Sequence, residues 1–144
     1  MNWKELKSGD QRTFAVIFDK GDEAVAGLTR MAREMRLGAS QITGIGAFSD
    51  AVLGFFDWQT KDYRRIPVRE QVEVVALVGD IALDDRGVPA LHVHVVVAKG
   101  DGTAHGGHLL KAHVRPTLEV VVTESPAHLH RRPDRETGLA LIRL

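Results

Sequence analysis

Between Leu91 and Leu110 the chain reads LHVHVVVAKGDGTAHGGHLL, a segment that admits few conformations and holds four of the seven histidines. Successive side chains of a strand point to opposite faces, so Leu91, Val93, Val95 and Val97 share one face and His92 and His94 the other. Val96 and Ala98 continue the histidine face with apolar groups, which implies a partly covered surface on which the imidazoles need partners. Lys99-Gly100-Asp101-Gly102-Thr103 is turn chemistry, and Thr103 to Lys111 supplies a returning antiparallel strand. Loop length then sets the register. A three-residue loop, Gly100 to Gly102 with Gly102 left-handed, pairs Lys99 with Thr103 and brings His108 opposite His94. A two-residue loop, Asp101-Gly102, pairs Val95 with His108 and turns that ring to the other face. The three-residue loop is the favoured reading, with Gly106-Gly107 marking a bulge or a close backbone approach.

Neutral imidazole is the commonest protein ligand for divalent transition metals, and two histidines on one strand with a third across from them leave coordination positions open. His92, His94 and His108 are therefore candidate ligands for zinc or a similar divalent ion, or for a small molecule. The competing reading makes them hydrogen-bonded strand residues. With no cysteine in the chain, any metal must be held by imidazole and carboxylate. Glu73 and Glu119 lie in otherwise apolar strand patterns and are the candidate general bases if the site is catalytic; facing outward on a one-sided sheet explains them equally well. His105, His113, His128 and His130 read as surface or turn residues.

The 144 residues fit one domain, 1–144, with 19 basic side chains balancing 19 acidic ones. That balance carries no nucleic-acid signature, and Arg64-Arg65 and Arg131-Arg132 read as solvated loop charge. The N-terminus lacks a signal-peptide core and no window approaches a membrane span, so a cytoplasmic protein with no membrane partner is expected.

Thr13 to Phe18 reads as a first strand. It leads to a helix with Asp22 as N-cap, a stripe of Val25, Leu28, Met31, Ala32 and Met35, and Gly38 as left-handed C-terminal cap. Ser40 to Phe56 reads as a glycine-rich hairpin turning near Ser49-Asp50. Strands follow at Tyr63 to Val68, where Pro67 suggests an edge, and at Gln71 to Val78, ended by Gly79-Asp80. Asp85 to Gly87 makes a tight turn before the histidine strand. Leu118 to Val122 and Gly138 to Ile142 complete an α+β sheet domain.

Gly44-Ile45-Gly46-Ala47-Phe48-Ser49-Asp50, Val72-Glu73-Val74, Leu77-Val78-Gly79, Leu91-His92-Val93-His94, Asp101-Gly102 and Gly106-Gly107-His108-Leu109, in this order, resemble the plant and prokaryote conserved (PPC) domain family from about Phe14 to Leu141. The resemblance implies an α+β fold with a curved, mostly antiparallel sheet, one principal helix and a homotrimer. In the plant members DNA is contacted by a separate AT-hook, an Arg-Gly-Arg-Pro element. This chain has none, since Arg131-Arg132-Pro133 lacks the glycine, so direct DNA binding is not expected and a DNA-binding label would rest on family association. The plant domains carry small or hydroxyl residues where this chain has His92, His94 and His108; prokaryotic members look like this chain. The resulting expectation is a trimeric binding or regulatory module with a histidine-based metal or ligand site. The alternative is a metal-dependent enzyme built on the same three histidines.

Overall fold

Runs of β-branched residues broken by glycine and charged turns fold here into one helix and nine strands among the described residues, which are 1–7 and 9–144 of a computed structural model. The strands are β1 (Asn2–Lys7), β2 (Arg12–Phe18), β3 (Ala39–Asp57), β4 (Asp62–Val68), β5 (Val72–Leu83), β6 (Pro89–Ala98), β7 (Ala104–Glu124), β8 (His130–Pro133) and β9 (Ala140–Arg143); the helix α1 is Ala24–Glu34. They join in one sheet of order β1-β2-β7-β3-β5-β8-β9, with β4 on the edge of β3 and β6 bridging β5 and β7. The pairings β3 with β5, β5 with β6, β6 with β7 and β7 with β3 close into a ring, and all are antiparallel. This is the curved, mostly antiparallel α+β sheet expected; among the described residues the one parallel contact is the bridge between Leu83 and His130.

Two of the expected turns are absent. Ala39–Asp57 runs as one strand, and the region around Ser49-Asp50 bends through register shifts rather than reversing. Bulges and glycines supply the curvature: a Cβ at Gly46 would sit 2.7 Å from Leu118 Cα, so only glycine lets β3 and β7 approach there. Gly79-Asp80 likewise does not end β5, because the His92 carbonyl of β6 packs where a Gly79 Cβ would be and the strand continues to Leu83. The segments Thr103 to Lys111 and Leu118 to Val122 belong to a single strand, β7.

The helix is capped by Glu23, not Asp22: its carboxylate accepts from the Val25 and Ala26 amides at 3.2 and 2.7 Å. Asp22 instead accepts from the Asp19 amide. At the other end Arg36, not Gly38, takes the left-handed conformation. Ala24, Leu28, Met31 and Ala32 are buried, and α1 packs against β6 and β7, where Val93, Val95 and Val97 point inward. The histidines of β6 thus lie on the face away from the helix. No helix among the described residues is long and apolar enough to cross a membrane.

One buried charge ties the ends of β3 and β7 together. The Glu124 carboxylate accepts from the Gly38 amide at 2.8 Å, the Ala39 amide at 3.2 Å and the Ser40 hydroxyl, with the Arg12 guanidinium 4.0 Å away. Gly38 therefore serves as a donor here rather than as a helix cap. Glu124→Ala strands these buried donors, and urea unfolding should show a loss of about 2–4 kcal/mol; a loss below about 0.5 kcal/mol would show that water replaces the carboxylate at no cost.

Candidate metal centre

The β6–β7 turn takes the three-residue form. Lys99 and Thr103 face each other, the Lys99 amide donating to the Thr103 carbonyl at 2.9 Å, and Gly102 is left-handed at φ 82° while its amide donates to the Lys99 carbonyl. The Asp101 carboxylate holds the turn by accepting from the Thr103 amide and hydroxyl at 2.9 and 2.6 Å. Register follows from the turn: His94 pairs with His108, and Gly106 and Gly107 pair regularly with Val96 and Val95. Gly107 is a close approach rather than a bulge in this pairing, since a Cβ on it would lie 2.8 Å from the Gly54 carbonyl oxygen of β3.

The three predicted histidines converge. His92 Nε2 and His94 Nε2 are 3.1 Å apart, and one ring nitrogen from each of His92, His94 and His108 falls within 4.8 Å of the others. Two nitrogens bound at about 2.0–2.1 Å to a tetrahedral ion stand roughly 3.3 Å apart, so the His92–His94 pair already has nearly the bite a zinc ion needs. His108 is half-buried, stacked on Tyr63 of β4 with centroids 4.8 Å apart, and its Nδ1 is buried with no hydrogen-bond partner. Burial, reinforced by His92 and His94, pushes the His108 pKa down to about 4; burial and His92 also lower that of His94. Both rings are therefore neutral near pH 7 and have a lone pair to give.

Behind His92 stands Asp80 of β5, directly across the pairing, with Oδ2 3.8 Å from His92 Nδ1. Burial would raise the Asp80 pKa, but His92 and the bonded Arg131 guanidinium outweigh it and hold the carboxylate below its usual range. A carboxylate behind the distal nitrogen of a ligating imidazole fixes ring orientation and raises its basicity. Arg131 is not the solvated loop charge expected: its side chain is only 7% exposed, held by Asp80 and by the Ala140 carbonyl at 3.1 Å. Pairing with Asp80 is what permits a buried guanidinium.

Glu73 and Glu119 are exposed and do not join the histidine cluster; Glu73 lies opposite Ala98, and Glu119 lies between Ile17 and Ile45. His113 is tied to Asp50 at 2.9 Å, while His105, His128 and His130 are exposed. The expected cover over the histidine face is incomplete, for Val96 is 41% exposed beside exposed His94. Sequence reasoning missed Asp80, Tyr63 and Arg131. For Asp80 a signal was present, because continuing the alternation of β5 past Gly79 places it across from the histidine strand.

A ring of antiparallel strands carrying one helix and a three-histidine cluster defines a small α+β domain of the PPC type. Residues 6–126 match the Plants and Prokaryotes Conserved (PCC) domain, and the chain belongs to that family. A plant- and prokaryote-conserved protein from Pyrococcus horikoshii superposes with a TM-score of 0.85 at 26% identity, over 99% of this chain and 95% of that one. A metal-containing protein from Archaeoglobus fulgidus matches at 0.83 and 31%, covering 99% and 97%, and a candidate DNA-binding protein from Ralstonia eutropha at 0.86 and 30%, covering 98% and 96%. Two curated relatives from Synechococcus, both called bifunctional protein GlmU, are 32% and 31% identical over 136 residues. The chain spans about one fifth of their length, 20% in each case.

The depressed His108 pKa makes metal-free protein acid-sensitive in a definite window. Unfolded chain accepts a proton near pH 6.5 that the folded His108 refuses until about pH 4, so stability falls as pH drops through that interval. Thermal unfolding in chelator should show a shallower pH slope for His108→Phe than for wild type between pH 6.5 and 4.5; parallel slopes would show that His108 is protonated freely in the folded state.

Proposed function

We propose that this chain is a single-domain, homotrimeric binding module in which His92, His94 and His108 hold one divalent metal, zinc or a similar ion. The observation that carries this reading is the convergence of three imidazoles with Asp80 behind His92 and an unpartnered buried nitrogen on His108. An orphaned buried polar atom costs about 1–3 kcal/mol, a cost that a ligand bound to that nitrogen would relieve. The metal-containing relative from Archaeoglobus supports the same reading. Bound there, the ion supplies a Lewis-acid centre with at least one position for water or a small ligand. The residues of the chain orient it: β6 and β7 fix the rings, and Tyr63 shields His108 from solvent.

Assembly is supported by a shallow apolar surface on the outer face of the sheet, about 470 Å³ in volume, lined by Ile17, Ile45, Val75, Val78 and Val121. These side chains are 40–61% exposed. A contiguous patch of this kind marks a contact site, and a second copy of the chain is the occupant the family resemblance implies. The metal-dependent enzyme remains the second reading, favoured by the open coordination position, but Glu73 and Glu119 lie outside the cluster and supply no base to it. DNA binding and the GlmU activities are not carried over: charge is balanced and the chain corresponds to a fraction of the GlmU length.

Calorimetric titration of chelator-treated protein with zinc tests the centre. His94→Ala and His108→Ala should weaken binding by orders of magnitude, whereas His128→Ala, altering an exposed ring outside the cluster, should leave it unchanged. Equal zinc binding by all four proteins would reject the site. Light scattering tests assembly: wild type should give three times the chain mass of 15.8 kDa, and Val75→Glu should reduce it to one. Wild type running as a monomer at micromolar concentration would reject the trimer.

A further inference from the structure

The C-terminal hairpin β8–β9 lies beyond the residues matched to the family, and it forms one wall of a second feature beside the histidines. Between this hairpin, β6 and Tyr63 is a cavity of about 230 Å³, with His92 and His108 on one side and Arg131, Leu139 and Leu141 on the other. We infer that this cavity binds a short-chain monocarboxylate whose charge is met by Arg131 and whose alkyl chain lies against Leu91, Leu139 and Leu141, next to the metal centre proposed above and resting on that reading.

Three observations carry the inference. First, Arg131 is a buried cation on the cavity wall whose hydrogen bonding is incomplete: one nitrogen bonds Asp80, another the Ala140 carbonyl, and Nε is buried without a partner. Guanidinium has five N–H donors matched to carboxylate geometry, so an anion is the natural complement. Second, the charges do not balance once the histidines hold a divalent ion. Among the described residues Asp80 is the one carboxylate in contact with both Arg131 and His92, and its single negative charge is set against a guanidinium and a divalent cation. The local excess of positive charge faces a cavity whose remaining lining is mostly apolar, where a compensating anion is worth more than in water. Third, size and polarity select the anion. The cavity has the volume of about seven or eight waters, which suits a carboxylate of four to six carbons, and Leu91, Leu139 and Leu141 offer apolar contact that a phosphate dianion could not use.

The test uses zinc-loaded full chain titrated with butanoate, 1-butanol and n-butylammonium, followed by calorimetry and by the NMR shift of the Arg131 Nε–H and Leu141 methyls. Butanoate should bind about tenfold or more tightly than the alcohol, and the ammonium not at all. With the protein saturated in zinc, Arg131→Met should lower butanoate affinity about tenfold. Because that variant leaves Asp80 without its partner and could fail to fold, Leu141→Trp provides an independent check: it fills the cavity from an exposed position and should block butanoate while sparing zinc. Butanoate and 1-butanol binding alike, or butanoate binding unaffected by either variant, would overturn the carboxylate site. The two readings separate cleanly. Zinc uptake without butanoate binding rejects the cavity alone, whereas Arg131-dependent butanoate binding to a protein that takes up no zinc rejects the metal centre and leaves the cavity.

Discussion

Because β6 is hydrogen-bonded to β5 along one edge and to β7 along the other, the sheet cannot lie open; this double pairing bends β3 and β7 around a common core. A closed ring leaves no free edge on its central strands and makes each register depend on the others. A slip of one residue between β6 and β7 would carry Val93, Val95 and Val97 out of the core and the histidines into it. Burial of those three valines against α1 therefore enforces the same alignment that gathers His92, His94 and His108 on the outer face. The site needs no separate device to assemble it, since the apolar half of the strand positions the polar half.

Legibility in the sequence followed the range of the interactions. The β6–β7 turn is local: Gly102, the Asp101 side chain and the Lys99–Thr103 pair lie within five residues, and loop length alone placed His108 opposite His94. The turn expected at Ser49-Asp50 failed because glycine has two uses that look identical in a linear pattern. In a reversal it permits positive φ; at Gly46 and Gly79 it removes a Cβ so that a neighbouring backbone can approach. At Gly46 that neighbour is Leu118, 72 residues further along the chain, and nothing local announces it. Arg131 was misread for the same reason, because its burial depends on Asp80, 51 residues earlier.

The candidate centre shows how one environment prepares several groups at once. Burial keeps His108 and His94 neutral, the state a metal ligand requires, while contact with His92 and Arg131 keeps Asp80 ionised, the state an orienting carboxylate requires. These demands oppose each other, since desolvation alone would neutralise acid and base together. Arg131 resolves the conflict. It is bonded to the carboxylate that stands behind His92, and so stabilises that negative charge against desolvation.

The outer face also couples the site to the proposed assembly through geometry. Val78, on the apolar surface, pairs directly with His94, and exposed Val96 follows it two residues along β6. His94 thus stands at the rim of the surface a second copy would cover, whereas His92 and His108 face the cavity under the β8–β9 hairpin. A neighbour seated on Val75 and Val78 would remove water near His94, and neither of those residues lines the cavity. Assembly would then lower the dielectric around the ion and strengthen its hold on the rings, while the approach for a small anion stayed on the subunit's own C-terminal hairpin.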